Sequence, residues 1–382
     1  MKQQALLSIL FCGGIIGGFI SCNHSSSLQS RKEALGKFIF QDTQLSEPAG
    51  QSCATCHTAD KGFADRDSRI VSEGAVRGLY SQRNSMTICY SMYVPSLYFD
   101  EEEETYVGGL FWDGRSPSLQ HQAGEPFLNP VEMGNPDKES VVNKVRRASY
   151  YPELVRLYGE TDNVDSLYAH ITDALSIYQQ SEEVNSFSSK YDAWERGEYV
   201  FTETEARGMD LFENKGMCAE CHILDKDERA GRVLFTDHTY DNLGIPRNPE
   251  NPHFRVPTDY FLLTPDSIDL GLGPIVGKEE ENGKFRVPTL RNIALTAPYG
   301  HNGYFKTLEE IIHFYNVRDV SDEFPPAECP ATVNRDELGN LGLTPEEEAD
   351  LVAFIKTLTD DYESIRTVSY THLRAHETTL HL

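Results

Sequence analysis

Past Met217 the chain has no methionine, and between His57 and His121 it has no histidine. A metal centre built from the C-terminal half therefore has no thioether ligand, and one near residue 57 has no second local imidazole. Cations are scarce as well: 34 Lys and Arg stand against 60 Asp and Glu, a formal net charge of −26. That balance argues against nucleic acid or an anionic membrane surface as a partner.

Long apolar runs are also missing, apart from residues 5–20 behind Lys2. That run contains Gly13, Gly14, Gly17 and Gly18, which argues against a stable spanning helix, so residues 1–22 read as an export signal. Its end, Phe19-Ile20-Ser21-Cys22, resembles a bacterial lipoprotein cleavage box. Lipid on Cys22 would tether the protein in the periplasm; an ordinary cleaved signal or an uncleaved anchor are the alternatives. Residues 23–30 are Ser-rich and suit a linker. At the other end, residues 368–382 show no hydrophobic period, and the run Ser369-Tyr370-Thr371-His372-Leu373-Arg374-Ala375-His376 resembles translated adapter sequence. A disordered native tail is the alternative, and in either case His372, His376 and His381 are poor ligand candidates.

Of eight cysteines, Cys12 and Cys22 belong to the signal, and Cys89 and Cys329 are left available to pair in an oxidising compartment. The other four stand in Cys53-Ala54-Thr55-Cys56-His57 and Cys218-Ala219-Glu220-Cys221-His222. A Cys-x-x-Cys-His run is the attachment signal for c-type haem: two thioethers to the porphyrin and a proximal imidazole on the iron. A zinc half-site or a redox dithiol is the competing reading, but neither copy has a second CxxC nearby. Two covalently bound haems are expected.

Each motif follows a similar helical segment. Leu35-Gly36-Lys37-Phe38-Ile39-Phe40 precedes the first, and Arg207-Gly208-Met209-Asp210-Leu211-Phe212, behind a Thr202/Glu205 capping box, precedes the second. In both, Phe follows Gly by four positions, which points to a duplicated cytochrome c module. The expected fold is mainly α: two cytochrome c-like haem domains, residues 31–185 and 186–367, with long irregular loops such as 242–283. No strand pattern of useful length competes. A helix with Leu167, Ile171, Leu175 and Tyr178 on one face lies between the motifs. Thr307 and Glu310 cap another, with Leu308, Ile311, Ile312 and Tyr315 on its apolar stripe and His313 elsewhere. A last helix opens at Thr344-Pro345 and buries Leu351, Phe354, Ile355 and Leu358.

Each iron has a sixth position, filled for electron transfer or open for chemistry. For the first haem the local side chains are Met86 and Met92, which are equally explained as core. For the second, the candidates are His238, His253, His301, His313 and Tyr315, of which the inward-facing Tyr315 is preferred. Residues 112–132 carry groups suited to peroxide. Glu132, in a Pro-punctuated turn, could move a proton between peroxide oxygens; Gln122 could orient the oxidant; Trp112 could relay an oxidising equivalent. Each of the three could equally be structural.

Taken together, these residues resemble the bacterial dihaem cytochrome c peroxidase and MauG family over residues 34–362. Besides the CxxCH runs, the motifs that carry the resemblance are Arg83-Asn84, Phe111-Trp112-Asp113-Gly114-Arg115, Gln122-Ala123, Glu132-Met133-Gly134, Asp241-Asn242-Leu243-Gly244, Val287-Pro288-Thr289-Leu290-Arg291-Asn292 and Thr296-Ala297-Pro298-Tyr299. The resemblance implies a peroxide-reacting N-terminal haem with Glu132 and Gln122 in its distal pocket, Trp112 between the haems, and an electron-transfer haem in the C-terminal half. It also implies a calcium ion held by the Asn84 side chain and the carbonyls of Thr296 and Pro298. The distal ligand of the second haem falls at Tyr315, where MauG-like members have Tyr and typical peroxidases Met. Typical peroxidases carry a distal His before the Arg-Asn motif; residues 59–82 have none, so the first iron is expected to be open without reductive activation. MauG itself has a Trp two residues before its second CxxCH, and here that position is Gly216. Implied partners are hydrogen peroxide with either a small, preferably basic, redox protein or a protein substrate, and a homodimer follows by family habit. A plain electron-transfer dihaem cytochrome with both irons closed is the rival from another class.

Overall fold

The computed structural model describes residues 17–260 and 267–361. The start of the expected export signal, the expected adapter-like tail and the expected domain end at 367 lie outside the described residues. In chain order the helices are α1 (Gly17–Gln41), the single turn α2 (Cys53–Cys56), α3 (Leu119–Leu128), α4 (Lys138–Val145), α5 (Tyr151–Tyr158), α6 (Val164–Gln179), α7 (Lys190–Glu195), α8 (Glu203–Glu213), the single turn α9 (Gly273–Val276), α10 (Leu308–Val317) and α11 (Pro345–Lys356). Residues 23–30, expected to be a linker, are part of α1. No glycine or proline interrupts the chain from Phe19 to Leu35, so nothing local stops the helix. Among the described residues no helix is long and apolar enough to cross a membrane.

Two antiparallel ribbons also form, where the sequence offers no strand. β1 (Tyr98–Asp100) pairs with β2 (Thr105–Val107), and β3 (Tyr240–Asp241) pairs with β4 (Phe285–Arg286). They are two or three residues long, too short for an alternating pattern to show. The described part of the 242–283 stretch is largely irregular, as expected, with 3-10 turns at Pro252–Arg255, Thr258–Tyr260 and Glu279–Glu281 and α9 as its regular pieces.

Burial divides into two main apolar clusters. The first joins α1, α3, α4 and α6 through Leu35, Ile39, Phe127, Val142, Ile171 and Leu175. The second joins α8, α10 and α11 through Leu211, Phe212, Leu308, Ile312, Phe314 and Phe354. The two repeat one construction. On α1, a Cβ at Gly36 would lie 2.0 Å from the Ala174 carbonyl oxygen of α6; on α8, a Cβ at Gly208 would lie 2.0 Å from that of Asp350 on α11. Four residues on, Phe40 meets Tyr178 edge-on at 5.1 Å, and Phe212 meets Phe354 edge-on at 5.3 Å. The Gly-then-Phe spacing of the sequence is therefore a helix crossing: glycine lets the backbones touch and the aromatic locks the rotation.

A buried polar seam ties the halves together. Arg291, fully buried, donates to both carboxylate oxygens of Asp192 at 2.9 and 3.0 Å and to the Val233 carbonyl at 2.7 Å. Its guanidinium also faces the rings of Tyr90 and Phe187. Asp360, past the last helix, accepts from Tyr90 Oη at 2.6 Å and Asn292 Nδ2 at 2.7 Å. Cys89 and Cys329 are unbonded: Cys89 is buried in the first cluster, while Cys329 packs beside Gly283 in the second half.

Candidate functional site

Both CxxCH runs sit in tight turns that present the histidine in the same way. His57 Nδ1 lies 2.9 Å from the Phe63 carbonyl oxygen, and His222 Nδ1 lies 2.9 Å from that of Phe235. Phe63 and Phe235 both take a left-handed backbone, at φ 54° and 55°, which turns their carbonyls toward the rings. A hydrogen bond donated by Nδ1 leaves Nε2 as the acceptor nitrogen, the form an iron ligand needs. Burial pulls both imidazoles below their ordinary pKa, His222 to about 4, so they are neutral at pH 7.

Next to the second motif lies a mostly apolar cavity lined by Cys218, Cys221, His222, Leu308, Ile311 and Tyr315. Its donors and walls fit a c-type haem: two thiols, a neutral imidazole with a free Nε2, and aliphatic surface. Tyr315 projects from α10 as its apolar stripe requires. Its phenol, lining the cavity with the attachment motif, is pushed well above the ordinary range by burial and by the neighbouring Cys218 and Cys221. Among the described residues its hydroxyl makes no hydrogen bond.

The other candidates separate. His313 points away and pairs with Glu348 at 2.9 Å and Glu323 at 3.3 Å. His253 binds the Tyr80 carbonyl through Nδ1 at 2.9 Å, away from the cavity. His238 is buried beside a smaller neighbouring cavity. His301 lines the main cavity, stacked on Phe285 at 3.7 Å, but its electrostatic neighbours are Asp269 and Arg83 rather than the cysteines. Cys221, Asp241 and Glu337 offer donor atoms within 4.8 Å of one another. Cys221 belongs to CxxCH and both carboxylates are already held by Asn334 at 2.7 and 2.8 Å, so the group is not read as a metal site.

At the first motif, Glu132 is the acidic group whose charge reaches both Cys53 and Cys56. It is set by a tight loop: Glu132 N–H donates to the Asn129 carbonyl at 3.0 Å, and Asn129 Nδ2 donates to Glu132 Oε1 at 2.9 Å. Burial pushes its carboxyl up to about 7, against the pull of Arg115. Gly134, at φ 70°, packs onto the Glu47 carbonyl and closes the loop. Gln122, half-buried on α3, makes no side-chain hydrogen bond among the described residues, and Glu125 one turn later adds a like charge to Glu132. Met86 presents its carbonyl to the His57 ring, on the proximal side, and lines the cavities of the other half. It is therefore a poor sixth ligand; nothing brings Met92 to the first motif. The segment 59–82, which contains no histidine, is pinned beside Glu132 by an Ala75 N–H to Glu132 carbonyl bond of 2.6 Å.

Trp112 lines the cavity of the second motif, and its Nε1 donates to the Asn84 carbonyl at 2.9 Å. Asn84, Thr296 and Pro298 line the same cavity wall, and the carbonyls of Thr296 and Pro298 accept no hydrogen bond among the described residues. That oxygen set fits a calcium ion. Trp194, the other tryptophan, stacks on Phe201 at 4.9 Å and belongs to the core.

Two buried groups, Asp269 and Arg286, carry no signal in the sequence, and a third, His301, stood there only among the candidate iron ligands. Asp269, from the irregular stretch, grips Arg83 through two bonds of 2.7 and 2.8 Å, while Asp113 takes a third at 2.7 Å. Arg286 and His301 line the cavity beside the second motif. A lone arginine in a two-residue strand carries no local signal of its burial.

The fold and site define a dihaem c-type oxidoreductase. Residues 30–200 match the family model for di-haem cytochrome c peroxidase. The methylamine utilization protein MauG of Paracoccus denitrificans is 36% identical over 86% of this chain and 88% of its own. The diheme peroxidase BthA of Burkholderia thailandensis superposes with a TM-score of 0.76 at 32% identity, over 86% of both chains. A MauG-like protein associated with microbial copper homeostasis gives 0.66 at 31% identity, over 87% of this chain and 90% of that one. The chain belongs to the dihaem cytochrome c peroxidase and MauG family.

Proposed function

We propose that the protein reduces hydrogen peroxide at the haem on Cys53 and Cys56, drawing electrons through the haem on Cys218 and Cys221 from a small redox protein. The observation that carries this is Glu132: a carboxyl beside the first motif, held near pKa 7, with no histidine in the adjoining 59–82 segment to close the iron. When bound, the haem supplies an iron at which the O–O bond is cleaved. Glu132 accepts the proton of the incoming peroxide and returns it to the departing oxygen; a pKa near 7 suits both directions. Asn129 keeps its carboxyl aimed, and Gln122 orients the oxidant. Trp112, fixed by its bond to Asn84, relays oxidising equivalents, and calcium at Asn84, Thr296 and Pro298 stiffens that joint. Tyr315 would hold the second iron through its phenol oxygen; its elevated pKa means that the phenol keeps its proton unless a bound metal displaces it to solvent. The chain acts in the periplasm, tethered through Cys22.

A second reading, oxidation of side chains in a partner protein as a MauG-like enzyme, is supported by tyrosine at 315. Gly216 in place of tryptophan removes one aromatic step toward such a partner. Glu132→Gln tests the first assignment: peroxide turnover is expected to fall by about 10²- to 10⁴-fold with covalent haem content unchanged. Full activity in that variant would remove Glu132 from the mechanism. A rapid-mixing optical spectrum of the fully ferric protein with one equivalent of peroxide tests the open iron, since an immediate change needs no prior reduction.

A further inference from the structure

Each of the other deeply buried guanidinium groups has its acid. Arg83 has Asp269 and Asp113, and Arg291 has Asp192. Arg286 has none. It is 6% exposed, and its side chain makes only two long bonds, to the Phe111 carbonyl at 3.4 Å and the Val287 carbonyl at 3.5 Å. Its backbone is fixed twice, by the β3–β4 pairing with Tyr240 and by its N–H to the Trp112 carbonyl at 2.8 Å. Burial drags its guanidinium below the ordinary range, whereas Arg83 and Arg291 are raised by their acids. A buried cation without an anion is among the costliest arrangements a fold can keep, so something negative is missing from its surroundings.

The cavity that Arg286 lines is the one beside Cys218, Cys221 and His222. A second unpartnered polar group belongs to its lining: His301 is 5% exposed, stacked on Phe285, and its Nε2 has no hydrogen-bond partner among the described residues. Asp269 on the same wall is already neutralised by Arg83. A haem covalently held at Cys218 and Cys221 brings two carboxylates of its own. We propose that Arg286, with His301 beside it, is the anchor for a propionate of the C-terminal haem, and that this pairing raises that haem's reduction potential. The pairing is a charge-assisted hydrogen bond in a desolvated wall, and the cation beside the porphyrin disfavours the more positive oxidised state.

The inference rests on haem attachment at the second motif and is independent of peroxide turnover. Covalent haem content therefore separates its failure from that of the proposed function. The test is an optical redox titration of both haems in the haem-loaded full chain, comparing wild type, Arg286→Gln and Arg286→Lys. In Arg286→Gln the C-terminal haem is expected to shift toward the oxidised form by about ten- to a hundredfold in its redox equilibrium. Arg286→Lys restores part of the shift, and the N-terminal haem stays in place. An unchanged C-terminal haem, or a shift of the N-terminal haem alone or of both equally, overturns the assignment. Should Arg286→Gln not accumulate, the propionate bending band in resonance Raman spectra of wild type and Arg286→Lys decides. A band that moves supports the contact, and one that does not sinks it.

Discussion

Glu132 links protonation to both rate and stability. Its carboxyl is raised from an ordinary 4.5 to about 7 by burial, so between those values the folded chain binds a proton that the unfolded chain has released. Stability therefore falls as pH rises through that window. Glu132→Gln should match wild type in unfolding free energy near pH 4 and exceed it at pH 8, by at most about 3 kcal/mol, measured by denaturant unfolding. Turnover has the opposite dependence: accepting a proton needs the carboxylate, so kcat/KM should fall on the acid side of about pH 7, a limb absent from the Gln variant. Tyr315 makes a separate prediction. Replacing a hard phenolate with a thioether, Tyr315→Met, should raise the potential of the C-terminal haem alone, read by redox titration. No change would mean that Tyr315 does not reach the iron. Tyr315 could be read from the chain because a capping box and a helical period fix its direction. Arg286 could not, because being unpaired is a property of neighbours that arrive from segments far away in sequence.

At the scale of elements, the repeated glycine crossing is the most exacting feature. Gly36 and Gly208 each sit where a methyl group would overlap a carbonyl oxygen of the facing helix. Gly36→Ala and Gly208→Ala should each cost about 1–3 kcal/mol, since the backbones must separate. Hydrogen exchange should place the damage in α1 and α6 for the first and in α8 and α11 for the second. Damage spread evenly over both halves would contradict two separate cores. The sequence shows the Gly-then-Phe repeat but not its meaning, because the contact partners lie about 140 residues further along the chain. The ribbons were hidden for a different reason. They are held by pairing and by what packs on them, not by a local pattern.

Across the whole molecule, the Arg291–Asp192 pair holds the seam. Removing one partner of a buried pair strands the other charge, so Asp192→Ala should destabilise by about 3–5 kcal/mol, measured by denaturant unfolding. The net charge of −26 makes a prediction about encounter. Turnover with a basic redox donor should slow as salt rises, while turnover with an uncharged reductant should not.

The paired crossings also set an order of assembly. The first CxxCH lies inside the loop closed by α1 on α6, and the second inside the loop closed by α8 on α11. As the chain emerges from a translocation channel, the first loop can shut around its haem once α6 is through, while the second must wait for the last helix. A chain stalled before α11 would carry one finished half, with Asp192 and Arg291 both present and the second crossing still open.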